Sequence, residues 1–295
     1  MWKFRNRGVV LAMIMVSAGT QAHAAESVES LLQAASRDGA YVAPGATEVE
    51  QAEALFLRCF DQCDAADVRQ GWQHLGFEVL RAEHGGHPVI IVRERAQRRE
   101  GRGFYLFNLK TEATTALQAP HSDTDKNTRE ITLRLLAEGN FRAAAWNTVP
   151  RHYKKQGVVI DADMAHLPET YFLAFGRAYA RRFGQGMLVQ LHGFAQGKRR
   201  SVSGAGAEMV VSAGSKATTP TVLRVGRCLK QAGLGEIRIY PAEIRELGAT
   251  TNSTGHALRA MGHAGFVHIE MSAETRLALL SGKAERARLL RCMGR

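Results

Sequence analysis

From Val49 to Leu75 apolar residues recur every three to four positions with charges between them, in the run VEQAEALFLRCFDQCDAADVRQGWQHL, and this predicts one or two amphipathic helices. The period then shortens. The β-branched and aromatic runs PVIIV, GFYLF and TTALQAP, separated by glycine- and charge-rich turns, predict successive strands. Beyond them the two periods alternate. NTREITLRLLAEG, LPETYFLAFGRAYARRFG and TPTVLRVGRCLKQAG predict helices closing at Gly139, Gly184 and Gly233. FRAAAWNTV, GMLVQLHGF, EMVVSAG, EIRIYP and GFVHIEMS predict strands, and the tail AETRLALLSGKAERARLLRCM one or two further helices. Such alternation indicates an α/β layered domain with a largely parallel sheet. No internal repeat or low-complexity linker interrupts it.

The first residues change the picture of where this domain works. Lys3, Arg5 and Arg7 precede the apolar run GVVLAMIMVSAG, and Ala22 to Ala24 form a small-x-small cleavage site, so residues 1–24 read as an export signal. The run is shorter than the ~20 residues that span a bilayer, and the expectation is a soluble periplasmic or secreted protein without a transmembrane span after cleavage. Residues 25–100 are then an N-terminal α+β appendage and residues 101–295 the main α/β domain. A composition 45% hydrophobic and 23% charged excludes disordered and collagen-like classes. The formal charge of +11 falls to +8 when the three basic residues of the signal are removed, which favours anionic partners such as cell-envelope material. The basic residues are scattered and carry no nucleic-acid recognition motif, so no nucleic-acid partner is expected. Cys59, Cys63, Cys228 and Cys292 show no zinc-site spacing; Cys59 and Cys63, four apart, are a candidate disulfide, while Cys228 and Cys292 read equally well as unpaired buried thiols.

Candidate chemistry collects where strands end, the usual place for functional groups in open α/β sheets. His121 and Asp125 follow TTALQAP; Asn147 and Arg151 follow RAAAW; His192 ends MLVQL; Glu270 lies in FVHIEMS. His121, His192 and either Asp125 or Asp123 make a ligand set for a catalytic divalent metal, most simply one Zn2+ per chain. Glu270 is the candidate general base, since an acid inside an apolar strand is costly unless paired or functional. Arg151 suits a developing oxyanion or a substrate carboxylate. Duller roles compete: Asp123 or Asp125 as the cap of the following helix, and His192 as a hydrogen-bonded core residue. Asp163 and His166 form a second polar cluster, either supporting the site or capping a helix. The hydroxyl-rich loop LGATTNSTGHA offers Thr250, Thr251 and Asn252 to substrate. HExxH, the P-loop and GxSxG are all missing from the sequence.

The order of these residues resembles that of the zinc carboxypeptidases and their relatives, among them the N-formylglutamate amidohydrolase and poly-γ-glutamate hydrolase groups. QAPHSDTDKNT, AAAWNTVPR, VQLHGF, ELGATTNSTG and GFVHIEMS also look like the blocks of a bacterial exported group in that superfamily, over roughly His121 to Met271. The resemblance implies a three-layer α/β fold, its mixed, mostly parallel sheet covered by helices on both faces. It further implies zinc on His121 and His192, Glu270 as base, and substrate on Arg151 and Asn147. One departure bears on the ligands: the carboxypeptidase pair is His-x-x-Glu, whereas position 124 is Thr and the carboxylates fall at Asp123 and Asp125. Asp125 is preferred, with Asp123 the alternative. The expectation is a zinc-dependent hydrolase of amide or peptide bonds acting on a peptide or N-acyl amino acid. A non-catalytic binding protein and a metal-dependent phosphoesterase are its rivals.

Overall fold

A computed structural model describes residues 26–36 and 40–294; the export segment expected at 1–24 lies outside the described residues. The elements in chain order are α1 (Val28–Ala35), α2 (Ala46–Gln62), α3 (Ala66–His74), β1 (Phe77–His84), β2 (His87–Glu94), β3 (Phe104–Phe107), β4 (Ala116–Ala119), α4 (Thr128–Glu138), β5 (Ala143–Trp146), β6 (His152–Lys155), β7 (Val158–Asp161) and α5 (Tyr171–Arg182). They continue with β8 (Leu188–Gly193), α6 (Val202–Ala205), β9 (Met209–Ser212), α7 (Pro220–Gln231), β10 (Ile237–Ile239), α8 (Ser253–Ala260), β11 (Phe266–Met271), α9 (Ala273–Ser281) and α10 (Lys283–Met293). No helix among the described residues is long and apolar enough to cross a membrane.

Nine strands form one sheet in the order β1, β2, β3, β5, β4, β8, β11, β9, β10. Its centre, β5, β4, β8 and β11, is parallel throughout, and antiparallel pairs flank it on both sides. Strand alternation divides the core. Ala144, Trp146, Val189 and Leu191 pack with α1, α4, α7, α9 and α10 on one face. Ala143, Ala145 and Leu188 pack with α2, α3, α5 and α8 on the other, giving three layers. Phe56 and Phe60 of α2 meet Phe175 of α5 at ring separations of 5.6 and 5.5 Å, so α2 shares this second core with α5.

Four elements, β1, β6, β7 and α8, arise where the apolar pattern gave no warning. β1 pairs with β2 through Gly85 and Gly86, whose φ of 59° and 79° suit a two-residue hairpin turn; a Cβ at Gly85 would collide with the Ala137 backbone. β6 and β7 form a separate two-stranded hairpin whose Val158 and Val159 are exposed, so no buried face marks it in the sequence. α8 occupies what read as a hydroxyl-rich loop, because Asn252 accepts from Gly255 N and starts a helix there. Cys59 pairs with Cys63, and Cys228 pairs with Cys292, fastening α7 to α10; neither of the latter two is a free thiol.

The central connections place the site. From β4 the chain passes through α4 on one face to β5, then through α5 on the opposite face to β8, which lies on the other side of β4. The direction of winding therefore reverses between β4 and β8. A crevice opens at the carboxyl ends of strands at such a reversal.

Candidate metal centre

Beyond β4 the chain turns sharply, with Thr124 N and Asp125 N both donating to His121 O and Ser122 Oγ to Ala119 O. This turn sets His121 beside Asp125. Neither nearby aspartate caps α4: the preceding residue is Asn127 in a left-handed conformation, without a side-chain cap. Asp123 is drawn outward into an ion pair with Arg129, while Asp125 stands with His121 and His192 in one group of possible ligands. Across the switch, His192 near the end of β8 sits in register with Glu270 of β11.

Three donor atoms converge here. His121 Nδ1 lies 3.2 Å from Asp125 Oδ2 and 3.2 Å from His192 Nδ1, and His192 Nδ1 lies 3.5 Å from Asp125 Oδ2. Ligands ~2.0–2.1 Å from a tetrahedral ion stand about 3.3–3.4 Å apart, so the triangle has the size of one face of a zinc site. The outer ring nitrogens agree with that use. His121 Nε2 meets Asp163 Oδ1 at 2.9 Å and His192 Nε2 meets Gln190 Oε1 at 3.1 Å. Both partners are acceptors, so each Nε2 carries hydrogen and each neutral ring turns a lone pair on Nδ1 inward. Two facing lone pairs require a cation between them, either a proton or a metal.

Electrostatics show which one the bare site selects. Burial opposes the His121 cation, but the bonds to Asp125 and Asp163 outweigh it and raise its pKa to about 9. Burial lowers His192 to about 4, partly offset by Asp125, and the neighbouring His121 adds to the depression. Burial opposes ionisation of Asp125 and Asp163, but the hydrogen bonds and charge of His121 and His192 on the first, and of His121 and His166 on the second, hold both well below the carboxylate range. One proton thus occupies His121 in the metal-free site. Burial, with the Asp125 charge, pushes Glu270 up to about 8. Its Oε2 is buried without a hydrogen-bond partner, and a carboxylate oxygen of Glu270 lies within 4.8 Å of a His192 nitrogen.

A cleft of about 150 Å³ opens over this cluster, lined by His121, Asp125, Arg151, His166, His192 and Glu270, among others. Asp163 organises its wall. Besides His121, it takes His166 Nδ1 at 2.9 Å and Ala165 N at 3.1 Å, and it holds Arg151 Nε at an ion-pair distance of 2.6 Å. Arg151 is 37% exposed, which leaves its outer guanidinium at the rim. Asn147, by contrast, is buried, turns both ends of its amide to backbone, donating to Ala162 O and accepting from Val149 N, and does not line the cleft. Thr251 Oγ1 meets His166 Nε2 at 3.2 Å, while the Thr250 carbonyl is taken by His256. Asn252 lines the cleft but is committed to capping α8 and to Gln190 Oε1, 2.7 Å away.

A buried polar row beneath the cluster escaped the sequence reading. Gln118, Gln190, His268 and Ser212 stand side by side on β4, β8, β11 and β9, all essentially inaccessible. Gln190 Nε2 donates to Gln118 Oε1 at 2.8 Å, which aims the Gln190 carbonyl oxygen at His192 and Asn252. The signal was present as polar residues two positions before each site residue, in Gln190-x-His192 and His268-x-Glu270, because alternate strand residues share a face.

Fold and site together define a three-layer α/β protein with a candidate metal centre at the carboxyl ends of its central parallel strands. No protein-family model matches the chain, and no curated protein matches it. Among solved structures it is similar to an N-formylglutamate amidohydrolase from Ralstonia eutropha, at 12% identity and TM-score 0.41 over 65% of this chain and 96% of that one. It is also similar to a provisionally named carboxypeptidase from Burkholderia mallei, at 8% identity and TM-score 0.41 over 79% of this chain and 69% of that one. A third, a provisionally named metallopeptidase from Shewanella amazonensis, matches at 9% identity and TM-score 0.35 over 78% and 94% of the respective chains. At these scores the likeness is one of distant architecture, and the chemistry rests on the side chains themselves.

Proposed function

We propose that this protein is an exported, zinc-dependent hydrolase of amide or peptide bonds, acting on a small carboxylate-bearing substrate such as a peptide or N-acyl amino acid. The observation that carries the reading is the triangle of His121 Nδ1, Asp125 Oδ2 and His192 Nδ1, sized for a tetrahedral ion and flanked by the unpartnered Glu270 oxygen. His121, Asp125 and His192 would hold the metal. When bound, it supplies Lewis acidity toward water and carbonyl, and a positive charge that lowers the Glu270 pKa toward working pH.

The chain's own groups perform the proton work. Glu270 Oε2 takes a proton from water as its oxygen bonds to the carbonyl carbon, then returns it to the nitrogen as the C–N bond breaks. Arg151, braced by Asp163, offers its outer guanidinium to the developing oxyanion or to a substrate carboxylate. Asp163 and Gln190 keep hydrogen on the outer nitrogens of the two ligand histidines. Two disulfides support a working place in an oxidising compartment, and the basic surplus supports anionic substrates or envelope material.

Elemental analysis of the purified protein tests the centre: one zinc per chain is expected, lost in His121→Ala and His192→Ala. Glu270→Gln should keep the metal while losing about 100- to 10,000-fold in kcat on N-acyl amino acids or dipeptides. Metal content unchanged by both histidine substitutions would sink the reading, and turnover confined to phosphate esters would replace it with a phosphoesterase.

A further inference from the structure

His268 has no place in the mechanism above, yet it is a buried imidazole directly beside it. On β11 it shares a face with Glu270, and its ring lies over that of His192 at a centroid distance of 4.5 Å. Its two nitrogens face different neighbours. Nδ1 is 3.4 Å from Ser212 Oγ on β9, the residue in register with it, and Nε2 is 3.7 Å from Glu270 Oε1.

Hydrogen bonding gives this chain a direction. Gly214 N donates to Ser212 Oγ at 3.3 Å, which leaves the hydroxyl hydrogen available to His268 Nδ1, while Nε2 is the ring nitrogen that faces a carboxyl oxygen. An imidazole that accepts at Nδ1 carries its hydrogen on Nε2. That hydrogen faces Glu270 Oε1, while Oε2, the other oxygen of the same carboxyl, is left without a partner. At 3.7 Å the contact is electrostatic and longer than a hydrogen bond, yet it sets one carboxyl oxygen apart from the other.

We propose that His268, fixed in its tautomer by Ser212, is the positioning residue that orients the Glu270 carboxyl within the cleft. The inference rests on the hydrolase reading for its role in turnover, but the arrangement itself can be observed without catalysis. It also gives the buried polar row two arms: Gln118 through Gln190 to His192 on one side, and Ser212 through His268 to Glu270 on the other. The first holds a ligand and the second holds the base.

The test uses the zinc-loaded full chain. Nitrogen-15 NMR of the wild type is expected to show His268 protonated at Nε2 and bare at Nδ1. With a panel of N-acetyl amino acids as probes, Ser212→Ala and His268→Leu should lower kcat about 10- to 100-fold, leaving KM and zinc content unchanged. His268→Gln, which keeps a donor near the Nε2 position, should recover most of the loss even if the leucine variant folds poorly. In a Glu270→Gln background, Ser212→Ala should cost little more. A His268 protonated at Nδ1, an unchanged kcat in Ser212→Ala and His268→Leu, or losses that multiply fully in the Glu270→Gln background would each overturn the assignment. If the wild type hydrolyses no probe, the hydrolase reading falls by itself, and the tautomer alone then supports or overturns the placement of His268.

Discussion

On the proposed reading, His121 is where proton and metal compete for one position. Its Nδ1 must be bare to bind an ion, yet the bonds to Asp125 and Asp163 that prepare it as a ligand also stabilise its cation, to a pKa of about 9. His192, neutral above about 4, offers no such competition in the same range. Zinc affinity is therefore expected to rise at least about tenfold per pH unit up to about 9, more steeply below about 8, because His121 gives up its proton to the ion and below that point Glu270 releases one too. Competition against a chromophoric chelator at pH 6.5, 7.5 and 8.5 reads this slope, and a flat profile would contradict the assignment of His121. The candidate cluster was legible in the sequence here, because a histidine and two aspartates within five positions already suggested a metal site. The choice between the aspartates was not. It depends on the turn that holds Asp125 over His192 while Asp123 reaches out to Arg129, and on Gly193 N donating to Asp125 Oδ2 at 3.0 Å across the switch point.

At the scale of elements, what could be read depended on having a buried face. The central strands and the helices α4, α5 and α7 carry clear apolar periods and stand where the pattern put them. β6 and β7 bury no full face, and α8 begins with small polar residues, so neither produced a period. Asn252 shows what that concealed, since one side chain starts α8 through Gly255 N and braces Gln190 under His192. Asn252→Ala should cost about 1 kcal/mol from the lost cap and also weaken metal binding. Asn252→Asp keeps the cap acceptor but loses the donor to Gln190. Denaturant melts should then recover in the aspartate variant while zinc affinity stays low; equal zinc affinity in all three proteins would separate α8 from the site.

Over the whole molecule, the same buried groups set how stability responds to pH. Burial raises Glu94 to about 7 against the backbone N–H bonds it accepts from Glu100 and Arg102, and raises Glu270 to about 8; His121 is raised to about 9. Unfolded, carboxyls titrate near 4.3 and imidazole near 6.5. Between pH 6.5 and 9 the metal-free fold therefore holds more protons than the unfolded chain. Stability must fall as pH rises through that window. His192, His263 and His268, pushed down by burial, oppose the trend only at its lower end, because unfolded imidazoles have lost nearly all their protons by about pH 7.5, and Asp125 and Asp163 are ionised throughout. Calorimetry in the presence of a chelator should show Tm falling from pH 6.5 to 9. Saturating zinc should flatten the fall, because the ion takes the place of the His121 proton and lowers the affinity of Glu270 for its own. A Tm that rises over this interval without metal would mean that the cluster does not carry the extra protons, and with them would go the argument that His121 and His192 face each other across a cation.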